Sequence, residues 1–137
     1  MKEIHILIGN CEIPVTKQMT ILISSVVGDT AKVSFTDTGD LAEFIALSEA
    51  GSYDLFIMIL NNLRWNGAGA RIDRAIEVIE RIKSRENAGI IALSCYYDRP
   101  DFPDRVRHAG ADCFLTLPFE IPDFRAAVRT CLRLDEE

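Results

Sequence analysis

The chain has 137 residues, 48% hydrophobic and 26% charged, a balance that suits one domain with a single core. Its net charge is −6 and it has no dense Lys/Arg cluster, which argues against a nucleic-acid partner and against binding to an anionic membrane surface. The longest apolar runs are strand-length, short of a membrane span.

In chain order, Ile4–Gly9 (IHILIG) is the first predicted strand. Val15, Met19, Leu22, Ile23 and Val26 then share one helical face. Ala31–Phe35 (AKVSF) reads as a second strand, and Leu41, Phe44 and Ile45 mark a second helix. Leu55–Leu60 (LFIMIL) carries no charge and predicts a strand buried on both faces. Ile72, Ala75, Ile76, Ile79 and Ile82 make a third helical stripe, with Arg74, Glu77, Glu80, Arg81 and Lys83 around the rest. Gly89–Leu93 (GIIAL) is a fourth strand. A short helix over Asp104–Ala109 is stopped by Gly110. Cys113–Leu117 (CFLTL) is a fifth strand. Phe124, Ala127, Val128, Cys131 and Leu132 line a last helix, with Pro122 near its first turn.

Five βα units with right-handed crossovers predict a parallel five-stranded sheet with helices on both faces. Residues 1–137 are expected to form one domain with no second domain following. The tail Asp135-Glu136-Glu137 is expected to fray. Met1-Lys2-Glu3-Ile4 lacks the pattern of a secretory leader, so a cytoplasmic location is expected. The four cysteines, at 11, 95, 113 and 131, form no C-x-x-C pair. A structural zinc site is therefore not expected, and the thiols should be reduced.

In an open α/β sheet, ligands bind at the carboxyl ends of the strands. The stretches IHILIGNCE, YDLFIMIL, IIALSCYYD and AGADCFLTLPFE supply those ends. Together they resemble the receiver domain of bacterial two-component response regulators, over essentially the whole chain. The last stretch is the most specific, with Gly-Ala-Asp, an aromatic residue and then Pro-Phe. The resemblance implies a flavodoxin-like three-layer α/β/α fold with strand order 2-1-3-4-5.

It also implies a chemistry. Receivers hold Mg²⁺ with an acidic pair after the first strand and an aspartate ending the third, which accepts the phosphoryl group. A Ser/Thr after the fourth strand and a Lys after the fifth contact the phosphoryl oxygens. The matching positions here are Asn10 and Cys11, Ile59, Ser94 and Leu117. Only Ser94 agrees, with the neighbouring Glu12 also of the family's type.

Mg²⁺ requires a shell of hard oxygens, and Asn10 and Glu12 offer two oxygen-bearing side chains of which one is charged. Ile59 has no lone pair and cannot be a nucleophile. Leu117 cannot offset phosphoryl charge. The losses are consistent with one another, because a lysine left without its aspartate would be a partly buried, unpaired charge. The expectation is a pseudo-receiver with no enzymatic activity, no metal and no cofactor, and a stability indifferent to Mg²⁺.

Other residues carry open alternatives. The segment Asn61 to Arg71 is long for a receiver loop. Its Arg64, Gly67, Gly69 and Arg71 form either a partial anion-binding pattern ahead of a helix or a plain loop. Trp65 is a partner anchor or a lid over the apolar strand end. Cys11 and Cys95 are a redox pair or, as the reading favours, two small fillers. His5 and His108 stand apart from both.

Phe114 falls where receivers carry a switching aromatic, and is a switch or fixed core. Arg125, Arg129 and Arg133 are a basic stripe, solvated or at an interface. In receivers the fourth helix, fifth strand and fifth helix form the usual partner surface. Phe114, Phe119, Arg125 and Arg129 are therefore the candidate contacts. The reading is a signalling module whose partner is a protein: a kinase, a regulator or a second copy in a homodimer. The alternative is a small-ligand or anion sensor using residues 61–71 and the strand-end pocket.

Overall fold

The computed structural model describes residues 2–9, 13–60, 71–85, 87–94 and 102–134, with 13, 71–73 and 102 described by backbone alone. Strands and helices alternate throughout: β1 (Lys2–Gly9), α1 (Ile13–Val27), β2 (Ala31–Thr38), α2 (Leu41–Ala50), β3 (Leu55–Ile59), α3 (Arg71–Arg85), β4 (Gly89–Ser94), α4 (Phe102–Ala109), β5 (Cys113–Thr116) and α5 (Ile121–Cys131). The sheet is parallel throughout, in the order β2-β1-β3-β4-β5, as expected from the sequence.

Two apolar clusters sandwich it. Because successive strand residues point to opposite faces, Phe56, Met58, Ile90 and Ala92 pack under α2, α3 and α4 with Phe44, Ile79 and Val106. Leu55, Ile57, Ile59, Ile91 and Leu93 pack on the opposite face under α1 and α5, with Met19, Ile23, Phe124 and Val128. β3 and β4 are buried along their whole length, which explains why their sequences show no alternation. Each fully buried Phe or Ile side chain contributes about 1.5–3 kcal/mol by leaving water.

Two aspartates set the amino ends of the central strands. The Asp54 carboxylate accepts the backbone N–H of His5 at 2.8 Å. Asp54 N–H donates to His5 C=O at 2.7 Å, and Asp54 C=O accepts from Gly89 N–H at 3.2 Å. One residue thus fixes β3 between β1 and β4. Asp112, in the Gly-Ala-Asp motif, accepts Ile90 N–H at 2.8 Å and Lys83 Nζ at 2.9 Å. Lys83 Nζ also donates to Ala88 C=O at 2.8 Å. The motif's glycine has φ +131, and a Cβ there would collide with the Lys83 stem; glycine is the residue that fits such a turn.

α2 begins where Asp40 Oδ1 accepts Ala42 N–H at 2.9 Å, a side-chain cap for one of the helix's unsatisfied donors.

Several boundaries differ from the sequence expectation. β2 runs on to Thr38 because its polar end pairs with β1 as far as Gly9. β1 starts earlier, at Lys2, and α4 at Phe102. α5 ends at Cys131, and Arg133 follows with φ 56. The expected three-arginine helical stripe is therefore two residues, Arg125 and Arg129, with Arg133 beyond the helix.

Candidate functional site

The carboxyl ends of β3, β4 and β5 lie side by side. Ile59 closes β3 with no exposed surface and packs in the cluster shared with Ile8, Ile57 and Leu93. Leu60 follows, 3% exposed in the opposite cluster, its N–H donating to Leu93 C=O at 2.8 Å. Ser94 closes β4 and is 1% exposed. Leu117 stands just past β5. Its N–H donates to Ser94 C=O at 3.1 Å, and its side chain packs against the cluster that holds Ile59. The Leu117–Pro118 peptide is cis.

Chemically these positions supply two hydrocarbon side chains and one buried hydroxyl. Neither Ile59 nor Leu117 can accept a phosphoryl group, ligate a hard cation or neutralise an anion. Among the described residues no group of three His, Cys, Asp or Glu side chains is arranged to hold a metal. Asn10, Cys11, Glu12, Arg64, Trp65, Gly67, Gly69 and Cys95, and the side chain of Arg71, lie outside the described residues.

A second feature lies along α4, β5 and the start of α5. A cavity of about 390 Å³ is lined by Pro103, Arg107, Phe114, Leu115, Thr116, Pro118, Phe119, Glu120 and Asp123. Phe114 forms part of its wall, yet it is 9% exposed and belongs to the core beneath α4. Phe119 stacks on Phe124 with ring centroids 4.7 Å apart and planes 22° from parallel, a geometry that adds to simple burial. Arg125 and Arg129 are half-buried on α5. The lining mixes apolar rings with charges of both signs: Arg107, Glu120 and Asp123.

A cysteine contact outside the sequence expectation lies at the other end of β5. Cys113, first in β5, and Cys131, last in α5, have sulfurs 3.9 Å apart, and both are free thiols. The Cys131 S–H donates to Cys113. That bond, chiefly, brings the Cys113 pKa down to about 7 against the opposing effect of burial. The same bond and burial push the Cys131 thiol up. Sequence reasoning weighed only the strand-end cysteines, Cys11 and Cys95. The available signal was Cys131 on the apolar stripe of the last helix, facing a sheet in which Cys113 opens a strand.

The alternating order and the strand sequence 2-1-3-4-5 define a flavodoxin-like three-layer α/β/α fold. No protein-family model matches the chain. The transcriptional regulatory protein PdtaR of Mycobacterium tuberculosis, in strains CDC 1551 and H37Rv, is 36% identical over 92 residues, covering 67% of this chain. The match spans 40% of the length of those curated relatives.

Among solved structures, the Francisella response regulator 1452 receiver domain superposes with TM-score 0.64 at 17% identity, covering 96% of this chain and 98% of that one. The response regulatory domain of protein mrkE from Klebsiella pneumoniae superposes with TM-score 0.74 at 10% identity, over 97% of this chain and 98% of that one. The chain thus has the flavodoxin-like receiver fold of response regulators.

Proposed function

We propose that this chain is a receiver-type signalling module of the two-component kind that is not phosphorylated at the end of β3 and acts by protein contact. The observation that carries this reading is the side chain at the third strand's end. Ile59 is fully buried in an apolar cluster, with Leu117 packed against the same cluster where receivers place a lysine. An apolar strand end has no use for Mg²⁺ or a phosphoryl donor. The module's output then depends on occupancy of its α4–β5–α5 surface by a kinase, a regulator or a second copy. The cavity beside Phe114 and Phe119 and the half-buried Arg125 and Arg129 support that choice of face.

Intact mass after incubation with acetyl phosphate and Mg²⁺ tests the first half: the expected result is no added phosphoryl group, and a stoichiometric adduct refutes it. The second half is tested by sedimentation. Arg125→Glu with Arg129→Glu weakens any self-association and any binding to a cognate kinase or regulator; unchanged affinities dismiss this face.

A further inference from the structure

Cys113 and Cys131 stand apart from the carboxyl strand ends at Ile59 and Leu117; they lie in β5 and α5, two elements of the proposed contact face, but their chemistry does not depend on that reading. Their sulfurs are in contact at 3.9 Å, although they lie 18 positions apart in the chain, at opposite ends of a strand and helix pair. Cys131 is held from behind: a Cβ on Gly89 would lie 2.6 Å from its Cβ and 2.8 Å from its carbonyl oxygen. The helix end therefore sits as close to β4 as a backbone without a side chain allows. Cys113 is half-exposed and borders an open groove of about 360 Å³, with Arg107, Asp112 and Thr130 also on its wall. One thiol is thus reachable from solvent and the other is fixed directly behind it.

We propose that Cys113 and Cys131 are an oxidant-responsive pair, in which Cys113 reacts with hydrogen peroxide and Cys131 resolves the product to a disulfide joining β5 to α5. The Cys113 sulfur attacks one peroxide oxygen. The O–O bond breaks, the departing oxygen leaves as hydroxide and is protonated to water, and Cys113 becomes a sulfenic acid, oxidised by two electrons. The Cys131 sulfur then attacks the Cys113 sulfur. The S–S bond forms, the S–OH bond breaks, and the Cys131 proton leaves with the hydroxide as a second water. Two thiols and one peroxide give one disulfide and two waters.

The hydrogen bond from Cys131 favours the thiolate at Cys113 near neutral pH, which is the reactive form. The sulfurs must approach from 3.9 Å to about 2.0 Å. The new bond would tie the carboxyl end of α5 to the first residue of β5, fixing two of the three elements that build the contact face.

The test uses the full reduced chain, freed of reductant, treated with one equivalent of hydrogen peroxide, alkylated and digested with trypsin without reduction. The expected result is a mass loss of about 2 Da before alkylation, and a cross-linked pair of peptides, His108–Arg125 with Thr130–Arg133. It should form about tenfold or more faster in the native chain than in urea, because the fold brings the sulfurs together. Cys131→Ala leaves a sulfenic acid at Cys113 that dimedone traps.

The wild-type measurement stands alone should a variant fail to fold. A native chain that keeps Cys113 as a free thiol, cross-links it to Cys11 or Cys95 instead, or forms the pair no faster than in urea overturns the proposal.

Discussion

Replacing Ile59 by aspartate puts a carboxyl into the apolar end of the third strand, and the packing around it sets the cost. Ile59 has no exposed surface and packs among Ile8, Ile57 and Leu93. Loss of its apolar side chain to a small replacement removes about 2–5 kcal/mol of packing. A carboxyl in that cluster meets no cation at position 117 and stays protonated. The unfolded chain releases this proton above about pH 3.9.

The native state then binds more protons than the unfolded state, so stability falls as pH rises until the raised native pKa is reached. At 1.36 kcal/mol per pH unit, moving from about pH 5 to about pH 7.5 removes about 3 kcal/mol more from Ile59→Asp, relative to wild type. Ile59→Asn carries the packing loss without the slope. Urea denaturation of wild type and both variants at the two pH values gives the comparison. A pH-independent loss for Ile59→Asp, equal to that of Ile59→Asn, means that the carboxylate ionises in place. The reading of an apolar strand end would then be wrong.

Three further perturbations address the rest of the structure. Gly89→Ala drives a methyl into the Cys131 backbone and Cβ and should cost about 1–3 kcal/mol by overpacking; an unchanged melting temperature contradicts the close approach of β4 and α5. Asp112→Ala leaves the Ile90 N–H without its acceptor and should cost about 1–3 kcal/mol. Lys83→Ala, which removes a partly exposed ion pair and one hydrogen bond to the Ala88 carbonyl, should cost about 1 kcal/mol, and a larger loss than for Asp112→Ala in chemical denaturation refutes the bridging role of Asp112. Iodoacetamide alkylation of Cys113 should rise with a midpoint near pH 7; in Cys131→Ala, with the donated hydrogen bond gone, the midpoint moves up, and an unmoved midpoint discards that cause.

The sheet was legible in the sequence because its central strands are buried on both faces and its helices bury one stripe each, so the two periods separate. Leu55–Ile59 and Gly89–Ser94 announce themselves as uncharged runs. The end of β2 did not: Thr36, Asp37 and Thr38 look like a turn, and only pairing with β1 makes them a strand. The Gly-Ala-Asp motif was visible as a resemblance, but its physical work was not. That Asp112 holds both Ile90 and Lys83 is a property of residues 22 and 29 positions away. The Cys113–Cys131 contact was hidden for the same reason, since spacing along a chain says nothing about which end of a helix returns to which strand. At the strand ends the residue types at 59, 94 and 117 were readable directly, whereas their burial depended on the packing of α1 and α5.

The two rims of the sheet have a consequence for how copies of this chain can meet. β2 carries Lys32 and Asp37 exposed along its length, and β5 offers only four residues. Charge on one rim and brevity on the other are features that discourage a neighbouring molecule from extending the ladder. Oligomers that grow by adding strands are thereby disfavoured, and side-by-side association is left to the helical flanks.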